Sequence, residues 1–118
     1  MKTGKIEIKS NGVFVCPSGK RVWLTKHQIA DLFGVFVSTV GNNIRSIYKS
    51  GLLQRENVVR QNKSANGTIA ESYSFEMIVA LAFRIRSEKA EVFRVWVIRR
   101  TVNNFEVCTL PQIDTMLN

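Results

Sequence analysis

Short apolar runs separated by turn residues open the chain. Three such runs fall at residues 6–8, 13–15 and 21–24, and the first alternates isoleucine with charge. Asn11-Gly12 and Pro17-Ser18-Gly19 lie between them, and these residues are typical of turns. The pattern predicts two or three short β-strands, with a hairpin turn at Asn11-Gly12.

After Leu24 the spacing of apolar residues changes to that of a helix. Thr25 and Gln28 match a capping box, in which each side chain satisfies a backbone N–H of the other residue. Ile29, Leu32 and Phe33 follow at helical spacing, and Gly34 suits the left-handed residue that ends a helix. A first short helix is therefore predicted between Thr25 and Gly34.

A second helix is predicted directly after this turn. Ser38 is its expected N-cap and Gly51 its expected end. Its inner stripe falls at steps of three and four residues, at Val40, Ile44, Ile47 and Tyr48. Ala30 and Gly34, four residues apart, give the small residue and the tight turn that a pair of steeply crossing helices needs.

The second half of the chain predicts a hairpin and then two helices. The expected strands lie around Val58 to Arg60 and from Ile69 to Phe75, joined by a turn at Asn66-Gly67. From Glu76 to about Phe105 the pattern is helical, with a break and a new cap at Ser87. The predicted fold is α+β: a winged helix-turn-helix with small N-terminal strands, a β-hairpin wing and two C-terminal helices. We expect one domain over residues 1–108, and a tail over residues 109–118 that either frays or leads into a further domain.

The composition indicates a folded domain with no evident chemistry of its own. Of 118 residues 45% are hydrophobic and 22% charged, and no apolar run approaches the ~20 residues of a membrane span. The N-terminus lacks the apolar region of a secretory signal, so a cytoplasmic, nucleoid-associated location is expected. Cys16, Cys108 and the single His27 lie far apart, which predicts no metal site and no cofactor. Because catalytic motifs and phosphate-binding loops are also missing, we expect no enzyme.

The net charge of +8 is confined to one half of the chain. Residues 1–64 contain 11 lysines and arginines against 3 acids, whereas residues 65–118 contain six of each. Nucleic acid, an anionic membrane surface or an acidic protein would each suit such a surface, and so would solvent alone. Between Phe33 and Arg55 there is no acid, which favours contact with a phosphate backbone.

Polar and basic residues of the helix pair and the hairpin are the candidates for DNA contact. Serine, threonine, asparagine and arginine side chains can bond to base edges, and cations bind phosphates. The predicted base-reading residues are Ser38, Thr39, Asn42 and Arg45. The predicted backbone contacts are Thr25, Lys26, Gln28, Lys49, Arg60 and Lys63. The alternative for the helix pair is an ordinary helical hairpin, and the alternative for the wing is a solvated edge hairpin whose charges only prevent strand pairing. Phe36 and Val37 are bulky for such a turn, and either contact a thymine methyl or are buried.

The last helix carries more apolar surface than one core needs. Phe93, Trp96 and Val97 suit the core, and a second stripe has heptad-like spacing. Its members are Val95, Ile98, Val102 and Phe105, and they predict a homodimer that would present two reading helices to double-stranded DNA. Alternatively, hairpins of the same chain cover both faces. The stripe also supports a competing function, a protein-protein interaction module in which the basic half is incidental.

Two segments resemble the RhuM family of virulence-associated, phage-like bacterial proteins. The first is "VWLTKHQIADLFGVFV", with Trp23, Leu24, Thr25, Gln28, Ala30, Leu32, Phe33 and Val35 matching. The second is "YSFEMIVALAFRIRSEKAEVFRVWV", which runs from Tyr73 to Val97 and includes Phe93, Arg94 and Trp96. The resemblance implies a helix-turn-helix that binds DNA and supplies no catalytic residue. Members of the family usually continue beyond this length. Gly41-Asn42 departs from the more basic pattern of such helices.

Overall fold

An antiparallel hairpin opens the chain, and a second sheet forms around the later strands. The structure, a computed structural model, describes residues 4–16 and 18–104. Within them the architecture is α+β, with two antiparallel sheets, five α-helices and a 3₁₀ turn at Gly19–Arg21. The elements are β1 (Lys5–Lys9), β2 (Gly12–Cys16), β3 (Trp23–Leu24), α1 (Lys26–Phe33), α2 (Val37–Ser50), α3 (Arg55–Val58), β4 (Val59–Lys63), β5 (Ile69–Ser74), α4 (Phe75–Ala82) and α5 (Glu88–Asn104).

The two sheets differ in how far apart their strands lie in sequence. β1 and β2 pair only with each other, whereas β5 is the central strand of the second sheet, between β3 and β4. Trp23 of β3 pairs with Ser74, and Val59 of β4 pairs with Tyr73. The third strand predicted at the opening is therefore present, but it joins the distant hairpin.

The loop of the first hairpin differs by one residue from the prediction. Ser10 and Asn11 form the loop, and Gly12 already pairs with Lys9 as the first residue of β2. Asn11-Gly12 was predicted as the turn pair because both residues tolerate positive φ, but only Gly12 of the two has positive φ, and it lies in the strand. The second predicted turn, Asn66-Gly67, is confirmed, with Gly67 at φ 88°.

The core lies between the helix pair, α4 and the inner face of α5. Phe93 of α5 meets Phe33 of α1 edge to face, with 5.7 Å between ring centres, and Phe75 in the same manner at 6.0 Å. Such pairs add to the stabilisation from burial alone. Buried side chains of α2 and α4 complete this core: Val40, Ile44, Ile47, Met77, Ile78 and Leu81. The inner face of α2 is thereby anchored, and its outer face is left to solvent.

The junction of α4 and α5 confirms the predicted break at Ser87. The hydroxyl of Ser87 accepts a hydrogen bond from the Ala90 backbone N–H at 3.0 Å, as an N-cap does. Arg94 donates through Nη1 to the carbonyls of Ala82 and Ile85, at 2.7 and 2.8 Å. Ala82 is the last residue of α4 and Ile85 lies in the segment before α5, so Arg94 braces the junction of the two helices.

Two sequence predictions fall outside the part of the chain that the structure describes. They are the domain boundary between residues 108 and 109 and the contribution of Phe105 to the apolar stripe. None of the helices in the described residues is both long and apolar enough to cross a membrane.

Candidate nucleic-acid interface

A tight turn sets α1 and α2 against each other. Gly34 adopts the left-handed conformation, at φ 68° and ψ 41°, which costs a glycine least. The N–H of Val35 then bonds to the Ala30 carbonyl at 3.0 Å, which closes the end of α1. The predicted end of the first helix is confirmed, and three residues join it to the next helix.

The second helix starts at Val37, so the prediction that Ser38 caps it was wrong. Phe36 is the N-cap residue, and its carbonyl accepts from the N–H groups of Thr39 and Val40 at 3.0 and 3.3 Å. The turn after Gly34 leaves Phe36 extended, and the helix begins at once. Ser38 therefore lies inside the first turn of α2, with an exposed side chain.

The outer face of α2 is polar and basic. Ser38, Asn42, Arg45 and Lys49 are all exposed and follow one another at steps of four, three and four residues, which places them in one row. The buried residues of α2 occupy the opposite side. α2 contains no acidic residue. We call these four residues the candidate DNA-reading face.

Thr39 lies at the side of that face. It is partly buried, and its backbone carbonyl accepts a hydrogen bond of 2.8 Å from the side chain of Asn43. Three of the four predicted base-reading residues therefore share one exposed row with Lys49, and Thr39 does not belong to it.

Asn42 and Arg45 are already bonded to each other. The guanidinium Nη2 of Arg45 donates to the side-chain oxygen of Asn42. Asparagine pairs bidentately with adenine by using both its oxygen and its amide nitrogen, and this bond uses one of the two lone pairs of the oxygen. The N–H groups that this bond leaves unused on Arg45 and on the Asn42 amide can donate to a ligand.

The hairpin of β4 and β5 has a tip that is fixed by its own hydrogen bonds. The Asn66 side chain bonds to the Ser64 hydroxyl and accepts from the Thr68 N–H at 3.1 Å, while Ser64 and Thr68 also pair through their backbones at 2.8 Å. Lys63 is exposed at the end of β4, next to this tip. Its ammonium group is thus carried on an ordered turn.

Arg60 is held on the face of the same sheet by an aromatic ring. Its guanidinium carbon lies 4.4 Å from the ring centre of Trp23, in β3 on the far side of β5. Stacking of this kind restricts the side chain and leaves the guanidinium edge free to donate.

An ion pair braces the base of the hairpin. Arg55 of α3 pairs with Glu71 of β5, and the Tyr73 hydroxyl donates to the same carboxylate at 3.0 Å. The hydrogen bond from Arg55 holds the pKa of Glu71 below its ordinary value. Burial raises the pKa of Tyr48, near the end of α2, against the opposing effect of the Arg55 charge. The end of α2 and the base of the hairpin therefore share one polar cluster, in which the acid of the hairpin is neutralised.

The start of α1 faces the hairpin across a groove of about 540 Å³, lined from α1 by Thr25, Lys26 and His27. Thr25 and Gln28 form the predicted capping box: the Thr25 oxygen accepts from the Gln28 N–H at 3.2 Å, and the Gln28 oxygen accepts from the Thr25 N–H at 2.9 Å. Both oxygens are engaged in the cap. The Gln28 amide nitrogen and the Lys26 ammonium are the groups that remain suited to a phosphate.

Two residues extend this surface beyond the predicted set. Phe36 has 81% of its surface exposed at the start of α2, which excludes the buried alternative for this residue. Arg84, between α4 and α5, donates through Nη1 to the Ser46 hydroxyl of α2 at 2.8 Å. The sequence already indicated Phe36, because its side chain is bulky for such a turn. Nothing local in sequence signals Arg84, because Arg84 and Ser46 are 38 residues apart.

Comparisons with known proteins yield no match among protein-family models, curated proteins or solved structures. Within residues 4–16 and 18–104 there is also no cluster of three or more His, Cys, Asp or Glu side chains that could hold a metal ion. The function is therefore argued from the geometry of this chain.

Proposed function

We propose that this chain binds double-stranded DNA sequence-specifically as a winged helix-turn-helix, and that it regulates transcription at the nucleoid of a bacterial or phage-like system. The observation that carries the proposal is the candidate DNA-reading face of α2. It is an exposed, acid-free row, on a helix whose opposite side is anchored in the core. The hairpin of β4 and β5 acts as the wing.

The dimensions of α2 suit the major groove. Its 14 residues extend about 21 Å, and a helix of ordinary diameter fits a groove about 12 Å wide. In this arrangement Ser38, Asn42 and Arg45 approach the bases. Lys49, further along the same face, and Lys26, Arg60 and Lys63 bind phosphates.

The bond between Asn42 and Arg45 indicates which bases they prefer. Two acceptors, N7 and O6, mark guanine in the major groove, and the pair presents donors. We therefore expect guanine opposite Arg45, with the Asn42 amide donating to a neighbouring acceptor. Bidentate binding of adenine by Asn42 would use the second lone pair of its oxygen beside the bond from Arg45.

Selection from a random duplex pool tests the function. The chain is incubated with the pool at two salt concentrations, and the retained DNA is sequenced. We expect enrichment of a guanine-containing site and an affinity that falls steeply with salt, because each neutralised phosphate releases counterions. No retention at low salt would refute DNA binding and leave the protein-interaction module as the better explanation.

Variants of Arg45 separate base reading from charge. Arg45→Ala should weaken binding to the selected site by ~1–3 kcal/mol, and it should lower the affinity for random DNA by less. Arg45→Lys should retain binding to random DNA but lose the preference for guanine, because lysine lacks the planar fork. Lys63→Ala should lower the affinities for the selected site and for random DNA about equally. Lys9→Ala in β1 removes the same charge from the other sheet and is the control, with no change expected. Equal losses on both DNAs for Arg45→Ala would contradict its reading role.

A further inference from the structure

One face of α5 is apolar and exposed. Val95, Ile98 and Val102 are 41%, 51% and 64% exposed and follow at steps of three and four residues. Ala90 and Phe93, on the other side of α5, are buried in the core. The helix therefore has apolar surface on two opposite sides, and the chain's described residues cover one of them.

The charges along this exposed face change sign from one end to the other. Glu88 and Glu91 are exposed in the first turn, and they continue the spacing of the apolar residues toward the N-terminus. Arg99 is exposed beside Ile98 and Val102 at the other end. The neighbouring Arg100 lies over the Trp96 ring, 5.1 Å from its centre. We assign the basic end of the face to Arg99.

We propose that this face binds the same face of a second copy of the chain, with the two α5 helices antiparallel. The centre of the pair lies between Val95 of one copy and Ile98 of the other. Antiparallel pairing brings the acidic end of each helix beside the basic end of its partner. Glu91 of each copy then approaches Arg99 of the other copy, which gives two such contacts in the dimer. Parallel pairing would instead set Glu91 against Glu91 and Arg99 against Arg99.

A second copy fits this face because the face is complementary to itself. A two-fold interface uses the same patch on both partners, and an acidic end with a basic end on one straight helix meets that requirement. The loop between β1 and β2 borders the face at Val92 and Val95, around a groove of about 460 Å³. This groove supplies a polar rim to the apolar centre. The inference goes beyond DNA binding and does not depend on it.

Light scattering of the full chain without DNA, at tens of micromolar, tests the dimer. The unaltered chain should have the mass of two copies, and Ile98→Glu should have the mass of one. Asn103→Glu introduces the same charge at an exposed position of α5 off the stripe and should remain dimeric. Circular dichroism should show the same helix content in all three, since these side chains are exposed. A monomeric unaltered chain, or a dimeric Ile98→Glu variant, would overturn the proposal.

Cysteine crosslinking tests the direction of the helices. In a Cys16→Ser, Cys108→Ser background, Glu91→Cys copies mixed with Val102→Cys copies should form a disulfide between them on mild oxidation. Val102→Cys alone should form none, because in the antiparallel pair the two residues 102 lie about 16 Å apart along the axis, beyond the reach of a disulfide. Self-crosslinking of Val102→Cys without the mixed product would show a parallel pair and refute the arrangement.

Discussion

At the scale of the single residue, Gly41 lowers the stability of α2 and leaves space beside Arg45. A substitution at Gly41 tests whether DNA uses that space. Gly41 lies inside α2, and a Cβ added there would meet Arg45 Nη1 at 3.8 Å, an ordinary contact. Gly41→Ala should therefore raise the free energy of unfolding by up to ~1 kcal/mol, measured by urea denaturation, because alanine favours the helix. A fall in stability would contradict this. DNA affinity measured on the same variant shows whether the space beside Arg45 is used by DNA.

Phe36 is the second single residue that separates stability from binding. Because its ring is 81% exposed, Phe36→Ala should change the free energy of unfolding little. We expect weaker binding to the selected DNA site, since a ring at the start of α2 can contact a thymine methyl. Leu52→Ala is the matched control, as Leu52 is 61% exposed just beyond the other end of α2. Equal affinities for the Phe36 and Leu52 variants would show that Phe36 makes no contact.

How far the candidate site can be predicted from sequence depends on how local each residue's role is. The capping box of Thr25 and Gln28 and the glycine ends of both helices involve neighbours in the chain, and the pattern predicts them correctly. Ser38 was wrong as a cap because serine suits several positions of a first turn. The contact of Arg84 with Ser46 joins distant parts of the chain and leaves no local trace.

At the scale of the element, the same distinction governs the fold. The strands β1, β2, β4 and β5 and the break before α5 follow from periodicity and turn residues. Two features do not: the pairing of β3 with β5, which spans about fifty residues, and the short helix α3 before β4. Strand partners across such a separation are chosen by tertiary packing, and propensity alone does not determine a four-residue helix.

The ion pair at the base of the hairpin of β4 and β5 predicts a dependence of stability on pH. Glu71→Gln removes the charge partner of Arg55 but keeps an acceptor for the Tyr73 hydroxyl. Since the pKa of Glu71 is lowered by folding, its contribution is present above the unfolded pKa of ~4.3 and is lost as pH falls through the folded value. Both side chains are partly exposed and screened by solvent, so the variant should lose only a small part of the free energy of unfolding at pH near 7.

Urea denaturation at neutral pH and at pH near 3 measures this difference. The difference between the unaltered chain and Glu71→Gln should be largest at neutral pH, and it should shrink in acid as pH falls through the lowered folded-state pKa of Glu71. A difference that stays constant from neutral to acid would show that the pair contributes through shape and not through charge.

At the scale of the whole molecule, the two proposed functions fall in different halves of the chain. The basic half is proposed to bind DNA, and the apolar face of α5 is proposed to form the dimer. The excess charge falls in residues 1–64, which include α1, α2 and β4. The exposed stripe of α5 lies in the half with balanced charge. This separation means that substitutions in α5 should test the proposed dimer while the candidate DNA-reading face is left unaltered.

Binding to one and to two half-sites tests how the two proposals combine. Ile98→Glu should bind a single half-site as well as the unaltered chain does, because α2 and the wing are unaffected. On a two-fold symmetric site the unaltered chain should bind about 100-fold or more tightly than the variant, since the second copy binds at high effective concentration. The comparison is made by fluorescence anisotropy on duplexes that differ only in the second half-site. Equal affinities on the symmetric duplex would show that the α5 dimer, even if it forms, does not present two reading helices to DNA. A loss on the single half-site would instead show that α5 supports the candidate DNA-reading face directly.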